Sequence, residues 1–157
     1  MPGDARAPRP PRLPSELGVK EAAGLTHDDT FSEARLSAAD WSDQHANGLQ
    51  LVTFRGCRLD MASFGFAHLT RVTFEDCLMA EASFLDARLE CVRFHRCELT
   101  RGDFRGASLE RCEFRGGDLT DLEGVTHLRG AAIDWAGIIA NANLWAAALG
   151  IEILDAE

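Results

Sequence analysis

The stretch "FEDCLMAEASF", residues 74–84, places large apolar side chains at a fixed interval. Phe74, Met79 and Phe84 are five residues apart, and Cys77 and Ala82 each precede one of them by two positions. A strand returns a side chain to the same face every two residues and a helix about every 3.6, so neither explains a period of five. The backbone must therefore turn back towards the interior once in every five residues.

The same interval continues over much of the chain. Fourteen successive positions, each five residues after the last, are Phe, Leu or Met: Phe54, Leu59, Phe64, Leu69, Phe74, Met79, Phe84, Leu89, Phe94, Leu99, Phe104, Leu109, Phe114 and Leu119. The residue two positions before each of them is Val, Cys, Ala or Gly, and the three other positions are mostly polar. One large and one small residue of each five therefore share a narrow interior.

A second period of twenty residues overlies the first. The small positions repeat the order Val, Cys, Ala, Ala, so that Cys57, Cys77 and Cys97 recur at one place in each repeat. If four units of five make one coil, these cysteines stack directly on one another at the ordinary inter-strand spacing of about 4.8 Å. The sequence therefore predicts a four-sided coil.

Several units have the pattern of a known repeat. "ARLEC", "ASFLD", "GDFRG" and "ASLER" each carry a small residue, a polar residue, Leu or Phe, and two further residues that are mostly polar. In this the chain resembles the pentapeptide-repeat family, and the resemblance covers most of its length. It implies an all-β fold, a right-handed quadrilateral parallel β-helix. Here that fold would have about five coils and a length of roughly 24 Å at about 4.8 Å per coil.

The register predicts the organisation of the chain. It slips between Trp41 and Leu49 and again after Leu119, which indicates extra or missing residues at these two points. A C-terminal capping helix is predicted to begin at the N-cap Asp134 and to stop at Gly150, because an open apolar end of a β-helix needs a cap. The predicted segments are a Pro/Arg-rich disordered tail at 1–14, a short N-terminal helix or cap at 15–25, the repeat region at 26–138, and the C-terminal helix and tail at 134–157.

Composition restricts the function. The 157 residues suit one domain, and no run of 18 apolar residues predicts a membrane span. The N-terminus lacks the apolar core of a secretory signal, so a cytoplasmic location is expected. The net charge of −9 disfavours direct binding to nucleic acid or to an anionic membrane.

No catalytic constellation emerges from the sequence. Cys57, Cys77, Cys97 and Cys112 occupy small inward positions, where they are expected to act as buried apolar residues. Cys91 falls at an outward position and is the thiol expected to react. The five histidines are scattered and no phosphate-binding glycine loop is present. We therefore expect a protein that is not an enzyme and that has no metal and no cofactor.

Two outward features are candidate partner-binding surfaces. The apolar patch comprises Met61, Phe66, Leu78 and Leu85, which the register sends to solvent in adjacent coils. It indicates either a contact site or scattered apolar surface. The acidic belt comprises Glu75, Asp76, Glu81, Asp86 and Glu90, and it indicates either a site for a basic partner or an ordinary solvated surface.

A third candidate surface lies on the predicted C-terminal helix. Its apolar side chains follow helical spacing: Trp135, Ile138, Ile139, Ala142, Trp145 and Leu149. Two tryptophans are typical anchors of an interface. The stripe therefore predicts a homodimer that pairs through this helix, with an intramolecular cap as the alternative.

The resemblance implies two classes of function. Members of the family include DNA mimics that bind DNA gyrase or topoisomerase IV and protect them from quinolone-type drugs. A negatively charged rod is compatible with that role, but residues 49–124 hold thirteen acids against ten arginines, a net charge of only −3. The alternative is a protein-interaction scaffold with no topoisomerase role.

Overall fold

The computed structural model describes residues 30–41 and 48–156. The predicted tail at 1–14 and the predicted helix at 15–25 lie outside the described residues. The described elements are β1 (Thr30–Ser32), β2 (Leu49–Gln50), β3 (Thr53–Arg55), β4 (His68–Thr70), β5 (Thr73–Glu75), β6 (Arg88–Glu90), β7 (Arg93–His95), β8 (Ser108–Glu110), β9 (Glu113–Arg115), a 3-10 helix (Val125–Leu128), β10 (Ala132–Ile133), α1 (Trp135–Ala140) and α2 (Ala142–Ala148).

The strands form a four-sided parallel β-helix of about five coils, as the sequence predicted. The first face is a six-stranded sheet in the order β1-β3-β5-β7-β9-β10, and the fourth face is a four-stranded sheet in the order β2-β4-β6-β8. Single parallel bridges build the other two faces. On the second face one series of bridges runs from Arg35 to Asp118, and on the third face another runs from Asp40 to Glu123.

The pairing register follows the twenty-residue period, with two exceptions. Phe54 pairs with Phe74, and Leu69 pairs with Leu89. Phe31 pairs with Phe54, an offset of twenty-three, so three extra residues lie between Trp41 and Leu49, as predicted. At the other end Ile133 pairs with Phe114, an offset of nineteen, so the second slip is a deletion of one residue.

The interior consists of stacked side chains. On the first face the ring centroids of Phe74 lie 5.0 Å from Phe54 and 5.1 Å from Phe94, nearly parallel. On the third face Phe84 lies 5.0 Å from Phe64 and 4.8 Å from Phe104. All fourteen large positions of the repeat are buried. In each of these two stacks, every phenylalanine ring covers the next one. The rings are therefore shielded from water along the length of the rod.

The corners between faces have a conformation that the sequence pattern did not predict. Among the described residues, fourteen non-glycine residues have a positive φ, and they stand two positions after the large residue of each unit. This left-handed region is unfavourable for most side chains. Hydrogen bonds between coils hold the corner residues in this conformation, because the N–H of a corner residue donates to a carbonyl oxygen of the next coil. Met61, for example, donates to the Ala80 carbonyl oxygen at 2.8 Å.

The C-terminal end departs from the prediction in two respects. The predicted helix is broken into α1 and α2 at Asn141, whose side chain donates to the Gly137 carbonyl oxygen at 3.0 Å instead of continuing the helix. Ile138, the last residue of the predicted repeat region at 26–138, lies on α1 and not on a coil. The rod therefore ends at Ile133. The Asp134 side chain caps α1 as predicted, accepting from the Gly137 N–H at 2.9 Å.

Candidate interaction surfaces

The predicted acidic belt follows the third coil, residues 73–92, but most of its charge is neutralised. Its ion pairs are Glu75 with Arg55 at 2.8 Å, Asp76 with Arg96 at 2.7 Å, Glu81 with Arg101 at 2.7 Å, and Glu90 with Arg111 at 2.8 Å. Each joins side chains about one coil apart. Among the described residues, Asp86 alone of the five acids has no ion pair. The belt therefore presents alternating charge rather than a continuous negative surface.

The Asp76 pair has the strongest geometry in the belt. Arg96 donates from Nε to Oδ1 at 2.7 Å and from Nη2 to Oδ2 at 3.0 Å, a two-point contact. This guanidinium holds the pKa of the Asp76 carboxyl below its usual range. The same carboxylate is therefore ionised but already bound within the chain, which lowers its value for an external basic partner.

The apolar patch lies on the second and third coils. Met61 is 59% exposed, Phe66 is 54% exposed and Leu78 is 38% exposed, whereas Leu85 is half-buried. Met61 and Phe66 occupy left-handed corners at the two edges of the third face. Phe66 donates its N–H to the Leu85 carbonyl oxygen at 2.8 Å, so these two residues are neighbours across coils. Leu78 lies around the corner on the second face.

The C-terminal helices separate their apolar residues into two groups. Trp145 and Leu144 are half-buried and pack against the core, and the Trp145 Nε1–H donates to the Ile138 carbonyl oxygen at 3.1 Å. Trp145 thus contributes to the cap of the rod. The other group faces outward, with Trp135 76%, Ile139 58% and Leu149 75% exposed. Ile138 is 37% exposed, and Ala142 is also exposed.

Sequence reasoning missed the contribution of the chain after α2. Ile151 is 57%, Ile153 55% and Leu154 81% exposed, and no strand forms within 151–156. The Ile151 N–H donates to the Ala146 carbonyl oxygen at 2.8 Å, a hydrogen bond that closes the C-terminal end of α2. Alternation of apolar residues after the helix stop was the signal available in the sequence. We define the C-terminal apolar face as Trp135, Ile139, Leu149, Ile151, Ile153 and Leu154.

The described residues contain no group of His, Cys, Asp and Glu side chains able to hold a metal ion. A shallow groove of about 400 Å³ beside Gly116 and Gly117 is open to solvent, but the two thiols in its lining, Cys77 and Cys97, are buried. No helix within 30–41 and 48–156 is long and apolar enough to cross a membrane.

The cysteines occupy two environments. Cys57, Cys77, Cys97 and Cys112 are buried, and each Sγ–H donates to a backbone carbonyl of the preceding coil, as from Cys77 to Phe54 at 3.2 Å. Burial raises the pKa of the Cys112 thiol. Cys91 is half-buried at a left-handed corner.

We expect a bulky maleimide to label Cys91 in the native protein and to reach the four inward thiols only after unfolding, since a thiol needs access and ionisation to react. Mass spectrometry of the labelled peptides measures this. The variant Cys91→Ser is the control and should take up no label while folded. Native labelling of Cys77 at the rate of Cys91 would contradict the stacked interior.

Comparison with known proteins identifies the repeat. The family model described as "Pentapeptide repeat region" matches residues 47–123. No curated protein sequence matches the chain significantly.

Solved structures of pentapeptide-repeat proteins also match. One is a trypsin-treated QnrB1, a plasmid-mediated fluoroquinolone resistance protein, with 15% identity over 83% of this chain and 100% of that chain, and a TM-score of 0.38. Another, from the Arabidopsis thaliana thylakoid lumen, has 22% identity over 59% of this chain and 60% of that chain, with a TM-score of 0.37. At these TM-scores the likeness carries no argument about function. The match to the family model and the five-residue register together show that the chain belongs to the pentapeptide-repeat family.

Proposed function

We propose that this protein is a non-enzymatic interaction scaffold that pairs with a second copy of itself through the C-terminal apolar face. The observation that supports the proposal is the exposure of this face, where six large apolar side chains are each more than half exposed. Apolar side chains gathered at one end of a rod mark a contact site more often than scattered ones do. The expected location is the cytoplasm.

A second copy suits this face because both sides of a two-fold interface are the same surface. Apolar side chains would then meet apolar side chains, with the exposed Trp135 as a large anchor. The described residues from 131 to 156 include acids but no Lys or Arg. The face therefore offers no positive charge that would favour an acidic partner over its own copy.

We expect Ile139→Asp to leave a folded monomer, because pairing would bury a carboxylate at a cost of about 2–3 kcal/mol, or a roughly 30- to 150-fold weaker association. Sedimentation equilibrium at about 50 µM protein measures the mass, a concentration at which micromolar dimers are populated. The matched control is Phe66→Asp, since Phe66 is 54% and Ile139 is 58% exposed. A monomeric wild type under these conditions would overturn the pairing.

A second candidate is DNA mimicry directed at DNA gyrase or topoisomerase IV, with protection against quinolone-type drugs. The net charge of −9 favours it, and pairing of two rods would double the length of the acidic surface. The ion pairs of the belt weigh against it, because a surface that binds phosphates needs a continuous negative potential. The scaffold therefore has the better support.

Supercoiling by purified gyrase tests the second candidate. A DNA mimic should inhibit the reaction at low salt and lose its effect as salt rises, since exposed charges are screened. Reversal of Asp86 and Glu81 to lysine should then remove inhibition and lower the melting temperature only slightly, because the Glu81–Arg101 pair that is lost is exposed. Unchanged supercoiling and unchanged quinolone-induced cleavage at low salt would exclude DNA mimicry and would be consistent with the interaction scaffold.

A further inference from the structure

The second face carries a column of outward side chains whose charge changes sign along the rod. Parallel bridges join Arg35 to Arg58, Arg58 to Leu78, Leu78 to Glu98, and Glu98 to Asp118. Successive members are therefore one coil, about 4.8 Å, apart. We call these five residues the charged column. Read from the N-terminal end, it is positive, positive, apolar, negative, negative.

The charged column is free to bind a partner. All five side chains are exposed. Among the described residues, none of its four charged members forms an ion pair, in contrast to the paired arginines at the corners, such as Arg96 and Arg101. Arg35 and Arg58 even stand directly opposite each other, an arrangement of like charges that destabilises a sheet. Within one chain, the adjacent positions of Arg35 and Arg58 therefore bring no stabilisation.

The column beside it makes the second face flat. The residue two positions after each member of the charged column is small or short, and these residues are Ser37, Asp60, Ala80, Thr100 and Thr120. Thr120 donates its N–H and its hydroxyl to Asp118 Oδ1 at 2.9 and 2.6 Å. This contact fixes the last acid of the charged column without neutralising it. A flat face allows another flat face to approach closely.

We propose that a second copy of this chain binds antiparallel on the second face, with the two-fold axis at Leu78. A column that reads positive, positive, apolar, negative, negative is complementary to its own reversal. Arg35 then meets Asp118 of the second copy, Arg58 meets Glu98 of the second copy, and the two Leu78 side chains meet on the axis. The contact is isologous, so every charge pair occurs twice. The neighbouring column agrees, since Ala80 lies on the axis and Asp60 faces Thr100 of the second copy.

The corners that border the second face do not oppose this docking. On the axis Asp76 and Glu81 would each approach the same residue of the other copy. Both carboxylates are already bound by arginines of their own chain, Arg96 and Arg101, at 2.7 Å. The bordering corners therefore contribute little net charge, and the charged column determines the orientation.

The size of the second face sets the strength of the contact. Five coils give a height of about 24 Å, and three extended residues give a width of about 10 Å. This is smaller than the roughly 800 Å² per partner of a standard interface, so the association is weak and strongly dependent on salt. The second face is also separate from the C-terminal apolar face, so this inference goes beyond the proposed function and can be tested independently.

Charge exchange tests the docking. One variant carries Arg35→Glu and Arg58→Glu, and the other carries Glu98→Arg and Asp118→Arg. Both also carry Ile139→Asp, which prevents pairing through the C-terminal apolar face. At about 20 mM salt, where screening is weak, each variant alone should associate at least about tenfold more weakly than its background. An equimolar mixture should restore association, because all four charge pairs become complementary again. Sedimentation equilibrium measures both results.

A control variant separates this effect from net charge. Arg71→Glu with Arg88→Glu makes the same charge change at exposed arginines outside the second face, and it should associate like its background. Circular dichroism and the melting temperature show that every variant is folded. If the mixture associates no better than either variant alone, the antiparallel docking is wrong, whatever the Ile139→Asp result shows for the C-terminal apolar face.

A cross-link reports whether the two second faces meet at Leu78. In a Cys91→Ser background, Leu78→Cys should form a disulfide-linked dimer on mild oxidation, because the two copies of this position meet on the axis. Ser83→Cys is the control, since Ser83 holds the equivalent position of the same coil on the third face. Equal cross-linking of the two variants would indicate random collision, or a contact of another kind, and would contradict the proposal.

Discussion

Phe84→Asp should unfold the rod. Phe84 is fully buried between Phe64 at 5.0 Å and Phe104 at 4.8 Å, and its ring also meets Phe74 and Phe94 edge-on. Loss of the ring costs about 3–5 kcal/mol. An unpaired carboxylate in this interior adds several more. The sum approaches the whole stability of a typical domain, about 5–15 kcal/mol.

The matched control is the next residue in the chain. Leu85→Asp introduces the same carboxylate one position later, where the side chain is half-buried and the carboxylate reaches water. Thermal melting followed by circular dichroism should show a folded Leu85→Asp protein and no cooperative transition for Phe84→Asp. Similar melting temperatures for the two variants would mean that the assignment of inward and outward positions is wrong.

The repeat was predictable because burial in this fold depends on one side chain at a time. Each unit of five has to supply one large inward residue, so the positions from Phe54 to Leu119 could be read without any contact being known. The pairing register follows from the same series. Successive coils align so that phenylalanine stacks on phenylalanine and leucine on leucine. The offset between Phe31 and Phe54 shows this, because the three extra residues could be counted in the sequence.

The corners could not be predicted in the same way. Glycine is the residue that adopts a positive φ without strain, yet Met61, Phe66 and Arg71 adopt it here. Their conformation is imposed by hydrogen bonds to the next coil, and a local pattern does not record such bonds. The break at Asn141 was missed for a related reason, since helical spacing of apolar residues does not reveal where a side chain competes for the backbone.

The interaction surfaces were only half predictable. The sequence correctly identified outward positions, so Asp76 and Glu81 were expected at the surface. It did not show that an arginine twenty residues later binds each of them, because ion pairing depends on side-chain direction across coils. The charged column was overlooked for the opposite reason. Its members, such as Arg58 and Glu98, are unremarkable singly and gain meaning from their order along one face.

The last coil shows how far the repeat pattern can mislead. By register Gly124 stands where Phe104 stands one coil earlier, and Leu122 stands in the small position above Gly102. Leu122 is buried, and a Cβ at Gly102 would lie 3.2 Å from its Cδ2 atom. The large and small positions are therefore exchanged, and the Leu122 side chain fills the space that a phenylalanine would occupy. A substitution towards the repeat consensus at Gly124 should thus destabilise the protein.

Gly124→Ala is the sharpest test of this exchange. Gly124 has a φ of +74°, and a Cβ there would overlap the Arg105 backbone nitrogen and lie 2.6 Å from the Phe104 carbonyl carbon. Backbone atoms cannot move aside as a flexible side chain can, so the coil has to separate. We expect a loss of about 3 kcal/mol, the sum of about 1 for the left-handed conformation and the remainder for overpacking.

Gly150→Ala isolates the steric part of this loss. Gly150 has a φ of +70°, close to that of Gly124, but a Cβ there meets no atom within 4 Å. Both variants therefore pay the same conformational cost, and the difference in their free energies of unfolding in urea measures the contact with Arg105. Gly150→Ala should lose only about 1 kcal/mol. Equal losses in the two variants would show that the coils do not approach as closely at Gly124 as the exchange with Leu122 requires.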